Sequence, residues 1–207
     1  MDRPPDFIPE FDPTLHEYRW KGRLFPSVTT ILQATSLIAF PGVDPEVLRQ
    51  AAERGKVVHE LTARIDREET VDVPAEYRGY LRAYHSFTQT FIFTPHAHFT
   101  ETPLCDPGLE IAGTPDRAGY LQQTAGVVLD IKTFPERQPV IGIQLSGYRH
   151  LLRVNGFPAE RRLSLHLYPS GHFRVDEYRD HGDDTAFLAA LTLYRWRLRN
   201  MHRKEAA

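Results

Sequence analysis

Along this chain apolar residues recur at three-and-four spacing in some stretches and alternate with polar residues in others, the periods of helix and strand. The clearest helical stretch is 75–93, where Tyr77, Tyr80, Leu81, Tyr84, Phe87 and Phe91 share one face. These aromatics read as core rather than as a platform for stacking bases. An earlier helix opens with Asp44 as N-cap and Pro45 at its first position. Gly55 interrupts it, and the pattern either continues or restarts through Val58, Leu61, Thr62 and Ile65. A third helical pattern covers 141–156, with Gly156 placed to close it. A fourth starts on Asp183 or Asp184 and ends in a basic tail.

Strand-like segments fill most of the remainder. Residues 16–25 predict a short hairpin, after which Ser27 caps a brief helix. Segments 96–104, 109–121 and 126–134 read as strands. In 161–178, Leu163, Leu165 and Leu167 alternate with polar residues, and Pro169, Ser170 and Gly171 supply a hairpin turn. Residues 1–15 form an irregular arm ahead of one domain over 16–207. The main elements run α–β–β–β–α–β–β–α, an α/β fold around a mixed sheet.

Composition narrows the class. With 207 residues, the chain can bury one sizeable core but not two comfortable ones. No apolar run approaches a membrane span, and the acidic, proline-rich start argues against a leader peptide. One cysteine, Cys105, excludes an internal disulfide framework and any multi-cysteine metal site, and fits a reducing cytosol. A net charge of -2 is unlike a basic nucleic-acid coat, yet compatible with an enzyme that gathers positive charge in one groove.

Three charges stand out in the most strand-like stretch: Asp116, Asp130 and Lys132. Residues two apart in a strand face the same side, so Asp130 and Lys132 point together while Ile131 faces the core. Asp116 shares that face if the register is right, and a bulge would shift it. Converging carboxylates repel unless a cation lies between them, and oxygen ligands favour Mg²⁺ or Mn²⁺. A lysine beside such an ion can aim or deprotonate a water for phosphodiester hydrolysis. The bland alternative is a surface salt bridge between Asp130 and Lys132.

The stretches GTPD, VVLDIKT and QLSGY, in that order, resemble the PD-(D/E)xK nuclease superfamily, in its RecB-like and lambda-exonuclease-like branch. RGKVVHEL is similar to the branch's G-x-x-H element, PSVTTIL to a segment near its N-terminus, and FTETPL places Glu101 at a further acidic position. Together they span roughly residues 16 to 168. The resemblance implies a restriction-endonuclease-like core and a Mg²⁺- or Mn²⁺-dependent DNA exonuclease acting in recombination, repair or phage DNA processing. The metal ligands it implies are His59, Asp116, Asp130 and the Ile131 carbonyl, with Glu101 a further candidate. Asp116, Asp130, Lys132, Gln144 and Tyr148 would carry the chemistry. Ser27, Thr29, Thr30, Arg54 and Lys56 would contact the nucleic acid, although plain capping explains Ser27 equally well, and Gln144 and Tyr148 could be the polar rim of a helix.

The cysteines of the relatives that hold iron–sulfur clusters are missing, so no such cluster is expected. DNA is the implied partner, and the resemblance leaves room for a single-strand annealing or recombination protein and for a homo-oligomer. No membrane is implied, and the setting is the cytoplasm of a bacterium or of a phage-infected host. A structure-specific endonuclease, an RNA-directed nuclease and an idle DNA-binding subunit remain the alternatives. The basic run Arg195, Arg197, Arg199, Arg203 and Lys204 reads as a solvated tail or a DNA contact.

Overall fold

The computed structural model describes residues 3–39 and 41–205, with side chains as far as Met201. Three short strands come first, β1 (Glu10–Asp12), β2 (Glu17–Trp20) and β3 (Arg23–Phe25). Helices α1 (Val28–Ala34), α2 (Pro45–Asp66) and α3 (Arg78–Phe91) follow. Strands β4 (Phe93–Pro95), β5 (Leu104–Asp106), β6 (Ile111–Gly113), β7 (Arg117–Leu121) and β8 (Ala125–Lys132) lead to α4 (Pro139–Val154). The chain ends with β9 (Arg161–Leu167), β10 (Phe173–Glu177) and α5 (Gly182–Glu205).

Local chemistry accounts for the helix ends. Ser27 accepts from the Thr30 amide at 3.0 Å, and Asp44 accepts from the Glu46 amide at 2.7 Å with Pro45 following it. The helix begun at Asp44 runs unbroken through Gly55. Gly156, at φ +87°, takes the left-handed position after α4.

The main sheet has the order β10-β9-β8-β7-β4, and only β8 and β9 run parallel. A parallel join needs a crossover, which α4 provides. Both faces of the sheet are therefore covered. Val58, Tyr84, Phe87, Leu129, Ile131 and Leu165 pack on the side of α2 and α3. Val28, Val128, Leu145, Leu151 and Phe187 pack on the side of α1, α4 and α5.

This double cover changes how β9 reads. Leu163, Leu165 and Leu167 face α3 as their alternation predicts, but Arg162, Ser164 and His166 are just as deeply buried under α4. They are hydrogen-bonded there, as buried polar groups must be. Arg162 donates to the Gly142 carbonyl at 2.9 Å and pairs with Asp183 at 2.8 Å, while His166 Nδ1 donates to the Phe134 carbonyl at 2.7 Å.

A smaller layer holds the N-terminal sheet β1-β2-β3 against the β5-β6 pair around Tyr18, Phe25, Cys105 and Ala112. Asn155, just past α4, accepts from the Phe7 amide at 2.7 Å and donates to the Cys105 carbonyl at 3.0 Å. Among the described residues no helix is long and apolar enough to cross a membrane.

Several sequence expectations need correction. Segment 96–104 is not a strand; it holds a 3₁₀ turn at Ala97–Phe99, and pairing resumes only at Leu104. Segment 109–121 is broken between Gly113 and Arg117, so Asp116 lies just ahead of β7. Ile65 is 36% exposed, and Ala63 takes its place on the buried stripe of α2. The arm 1–15 contains β1, and α5 starts at Gly182, whose amide donates to Asp180. Arg195 and Arg197 reach back to the carbonyls of Leu109 and Ala34, so they fasten α5 to the body, whereas Arg199 is exposed. The side chains of Arg203 and Lys204 lie outside the described residues.

Candidate functional site

The site forms where β7 and β8 leave their ladder. The β7–β8 ladder ends with Arg117 opposite Leu129, and Asp116 is the residue just before it. The Asp116 carboxylate reaches over the strand and accepts from the Ile131 amide at 2.6 Å. Alternation along β8 sends Asp130 and Lys132 toward α4 and Ile131 into the core beneath α2 and α3. Lys132 Nζ stands 2.7 Å from Asp130 Oδ2.

From α4, Gln144 donates to Asp130 at 3.4 Å and to the Tyr148 hydroxyl at 3.3 Å, consistent with two residues one helical turn apart. Gly113 admits Tyr148 to this corner, since a Cβ there would come within 3.0 Å of the tyrosine ring. The resulting pocket of Asp130, Gln144 and Tyr148 is almost fully buried.

His59 reaches the same place from α2. Its Nε2 donates to the Ile131 carbonyl at 2.8 Å, and its Nδ1 lies 3.4 Å from Asp116 and 3.6 Å from Glu101. Ligand atoms of His59, Glu101 and Asp116 all fall within 4.8 Å of one another. Glu101, the further acidic candidate, arrives from outside any strand. Its φ of +49° is sparsely populated for a non-glycine residue, and its amide donates to the Asp116 carbonyl at 3.1 Å, which brings the side chain alongside.

Behind this set lies a fully buried guanidinium, Arg117. It donates to Glu101 at 3.0 Å, to the Asp116 carbonyl at 2.6 Å and to Thr62 at 2.8 Å, and it pairs with Asp66 at 2.5 Å. Tyr84 donates to the same Asp66 carboxylate at 2.8 Å. The buried cation thereby braces α2, Glu101 and the start of β7 against one another.

The charges are tuned by these contacts. Burial alone would push the His59 imidazole down, but the facing Asp116 and Glu101 carboxylates raise it to about 10. Burial likewise works against ionised Asp116, which the His59 and Lys132 cations hold below the usual carboxylate range. Asp130 goes the other way: burial and the neighbouring Asp116 outweigh Lys132 and raise it to about 6. Burial opposes the Lys132 charge, yet Asp130 and Asp116 raise its pKa and keep it an ammonium. Two cations and three carboxylates thus share one corner.

The structure therefore gathers His59, Glu101, Asp116, Asp130, Ile131, Lys132, Gln144 and Tyr148 around the end of β8. Within it, the Ile131 carbonyl is already an acceptor for His59, and Asp130 is engaged by Lys132 and Gln144 rather than by the His59 group. A cleft of about 560 Å³ opens beside the site, lined among others by His59, Glu101, Tyr148, Lys56, Ser27 and Thr29. Thr30 and Arg54 do not line it. The Ser27 hydroxyl is occupied in capping, bonded to Thr29 at 2.9 Å and Thr30 at 2.8 Å, and Arg54 turns to Thr133 at 3.4 Å.

Sequence reading missed Arg117, Asp66 and Thr62. The available signal was an arginine inside the otherwise apolar strand RAGYL, directly after Asp116. It also missed Phe11, His16 and Tyr18, which line the cleft from β1 and β2 and from the turn joining them. Neither a family model nor a curated protein matches the chain.

Proposed function

We propose that the chain is a metal-dependent DNA exonuclease on the restriction-endonuclease-like core of the PD-(D/E)xK superfamily, serving DNA recombination, repair or phage DNA processing in the cytoplasm. The carrying observation is the placement of His59, Glu101 and Asp116 within 4.8 Å of one another, beside the buried Asp130–Lys132 pair. One imidazole and two carboxylates, with no thiol, suit an oxygen-preferring divalent ion such as Mg²⁺ or Mn²⁺. The Asp130 Oδ2 atom is buried against Lys132 Nζ at 2.7 Å, and this carboxylate would be a further ligand beside the group. His59 would bind through Nδ1, since Nε2 is committed to the Ile131 carbonyl.

A bound Mg²⁺ or Mn²⁺ supplies a Lewis acid for a phosphoryl oxygen and acidifies a coordinated water. The chain's own residues do the positioning. Lys132, kept protonated by Asp130 and Asp116, sets a positive charge where a phosphate gains negative charge in attack. Gln144 holds Asp130 and Tyr148 in place, and Arg117 holds Glu101. Lys56, at the cleft, supplies a cation for the sugar–phosphate chain.

The deciding experiment digests 5′- and 3′-labelled duplex, single-stranded and RNA oligonucleotides with Mg²⁺, with and without chelator. Progressive shortening of DNA from an end, stopped by chelator, is expected. Internal cuts would assign an endonuclease, and preference for RNA an RNA-directed enzyme. Binding with no cleavage under Mg²⁺ or Mn²⁺ would leave an idle DNA-binding subunit and overturn the proposal.

A further inference from the structure

The turn between β1 and β2 gives the cleft an aromatic surface that the metal-dependent reading does not use. Phe11 stacks on Tyr18 with ring centroids 4.5 Å apart and an interplanar angle of 30°. His16 meets both rings edge-on, at 5.6 Å and 5.5 Å. Tyr18 is buried and backs the stack, whereas Phe11 is half-buried and His16 is exposed. All three line the cleft that also contains His59 and Glu101.

This surface is held in shape before any ligand arrives. Asp12 accepts from the amides of Thr14 at 2.8 Å and Leu15 at 3.1 Å, which closes the turn and presents His16 at φ +53°. The Tyr18 hydroxyl bonds the Thr114 hydroxyl at 2.9 Å, two residues before Asp116, so the aromatic group abuts the acidic one. Core packing accounts for Tyr18 but gives no reason for an exposed His16 held against the Phe11 and Tyr18 rings. Rigid aromatics lose little entropy when a flat ligand stacks on them.

Resting on the nuclease reading, we infer that Phe11 and His16 form a stacking subsite for an unpaired nucleobase, and that the substrate enters this cleft as single-stranded DNA or as a frayed end. A base inside a duplex has both faces covered by its neighbours and must leave that stack to reach a protein ring. A cleft of about 560 Å³ has room for a nucleotide or two. Lys56 lines the same cleft and pairs with no carboxylate among the described residues, so it can face the phosphate attached to the stacked base. Aromatic stacking beside a cation is how proteins grip single strands without reading sequence.

The test uses the full chain carrying Lys132→Ala, with Ca²⁺ in place of Mg²⁺ to hold substrate uncut, and a single-stranded deoxyoligonucleotide containing 2-aminopurine near one end. Binding should quench its fluorescence. Phe11→Leu, which keeps apolar packing on Tyr18, and His16→Ala, at an exposed position, should each remove most of the quench and weaken binding about tenfold. A blunt duplex should bind more weakly and respond little to either change. Equal binding of blunt duplex, or an unaltered quench in both variants, would overturn the inference. Metal-dependent cleavage by the unmodified chain without any quench would refute the stacking subsite alone. A quench without metal-dependent cleavage would refute the nuclease reading alone, and no binding of either oligonucleotide would refute both.

Discussion

His59 Nε2 donates to the backbone carbonyl of Ile131 at 2.8 Å, joining α2 to the end of strand β8. That bond fixes the ring so that Nδ1 faces Asp116 and Glu101. Without metal, the two carboxylates favour the imidazolium, raised to about 10 from an ordinary 6.5. A group raised on folding stabilises most below its unfolded value, and its contribution is lost as pH rises through the folded one. In chelator, the urea midpoint should therefore fall between about pH 6.5 and about pH 10, and His59→Gln should flatten that fall. Mg²⁺ should invert the trend, because Nδ1 must lose its proton to bind, so metal affinity measured by calorimetry should climb with pH. A metal affinity independent of pH would remove His59 from the ligand set.

Lys132 faces Asp130 at 2.7 Å and, ahead of His59, opposes the effect of burial on that carboxyl. Lys132→Met should lower turnover by about 10²- to 10⁴-fold while DNA binding in Ca²⁺ persists. It should also raise Asp130 further above its present value of about 6, moving any residual activity to higher pH. A rate–pH profile of the variant reads both effects. Turnover retained at neutral pH would strip the lysine of its assigned part.

Arg117 and Asp66 are charged, buried and bonded to each other. Removing one partner leaves an uncompensated charge, so Arg117→Met should cost about 3–5 kcal/mol in urea unfolding. Adding Asp66→Asn should recover part of that loss. Full stability in Arg117→Met alone would mean that the brace contributes nothing.

Gly55 sits inside α2 and lines the cleft, and a Cβ built on it meets only the Thr133 hydroxyl, at 3.9 Å. A helical glycine costs roughly 0.5–1 kcal/mol relative to alanine. Gly55→Ala should therefore raise the melting temperature and, if the DNA strand passes over this point, raise KM with little change in kcat. A higher melting temperature with unchanged KM would place the strand elsewhere.

Part of the candidate site's geometry was legible in the sequence. Strand alternation alone placed Asp130 with Lys132 and apart from the Ile131 side chain, while Asp116, just ahead of the β7–β8 ladder, joins them by accepting from the Ile131 amide. Glu101 escaped that logic, because it belongs to no strand and reaches the group through a left-handed backbone conformation that periodicity does not register. Arg117 escaped because a lone charge in a strand normally marks a solvent face, and here Asp66 and Glu101 supply its partners from positions distant in sequence. The buried polar row of β9 was hidden for a different reason: reading 161–178 as a hairpin gave no hint that β9 also runs parallel to β8, beneath α4.

Helix α4 carries Gln144 and Tyr148 against the reactive corner, while Asn155, just beyond its far end, ties down both the chain entering β1 and the strand β5. The helix is thus a tie-rod: under the proposed function, tension on a nucleic-acid strand held at the N-terminal sheet would be borne along α4 to the residues that hold Asp130. Cutting that tie, for instance with Asn155→Ala, would uncouple the N-terminal sheet from the corner where Asp130 sits.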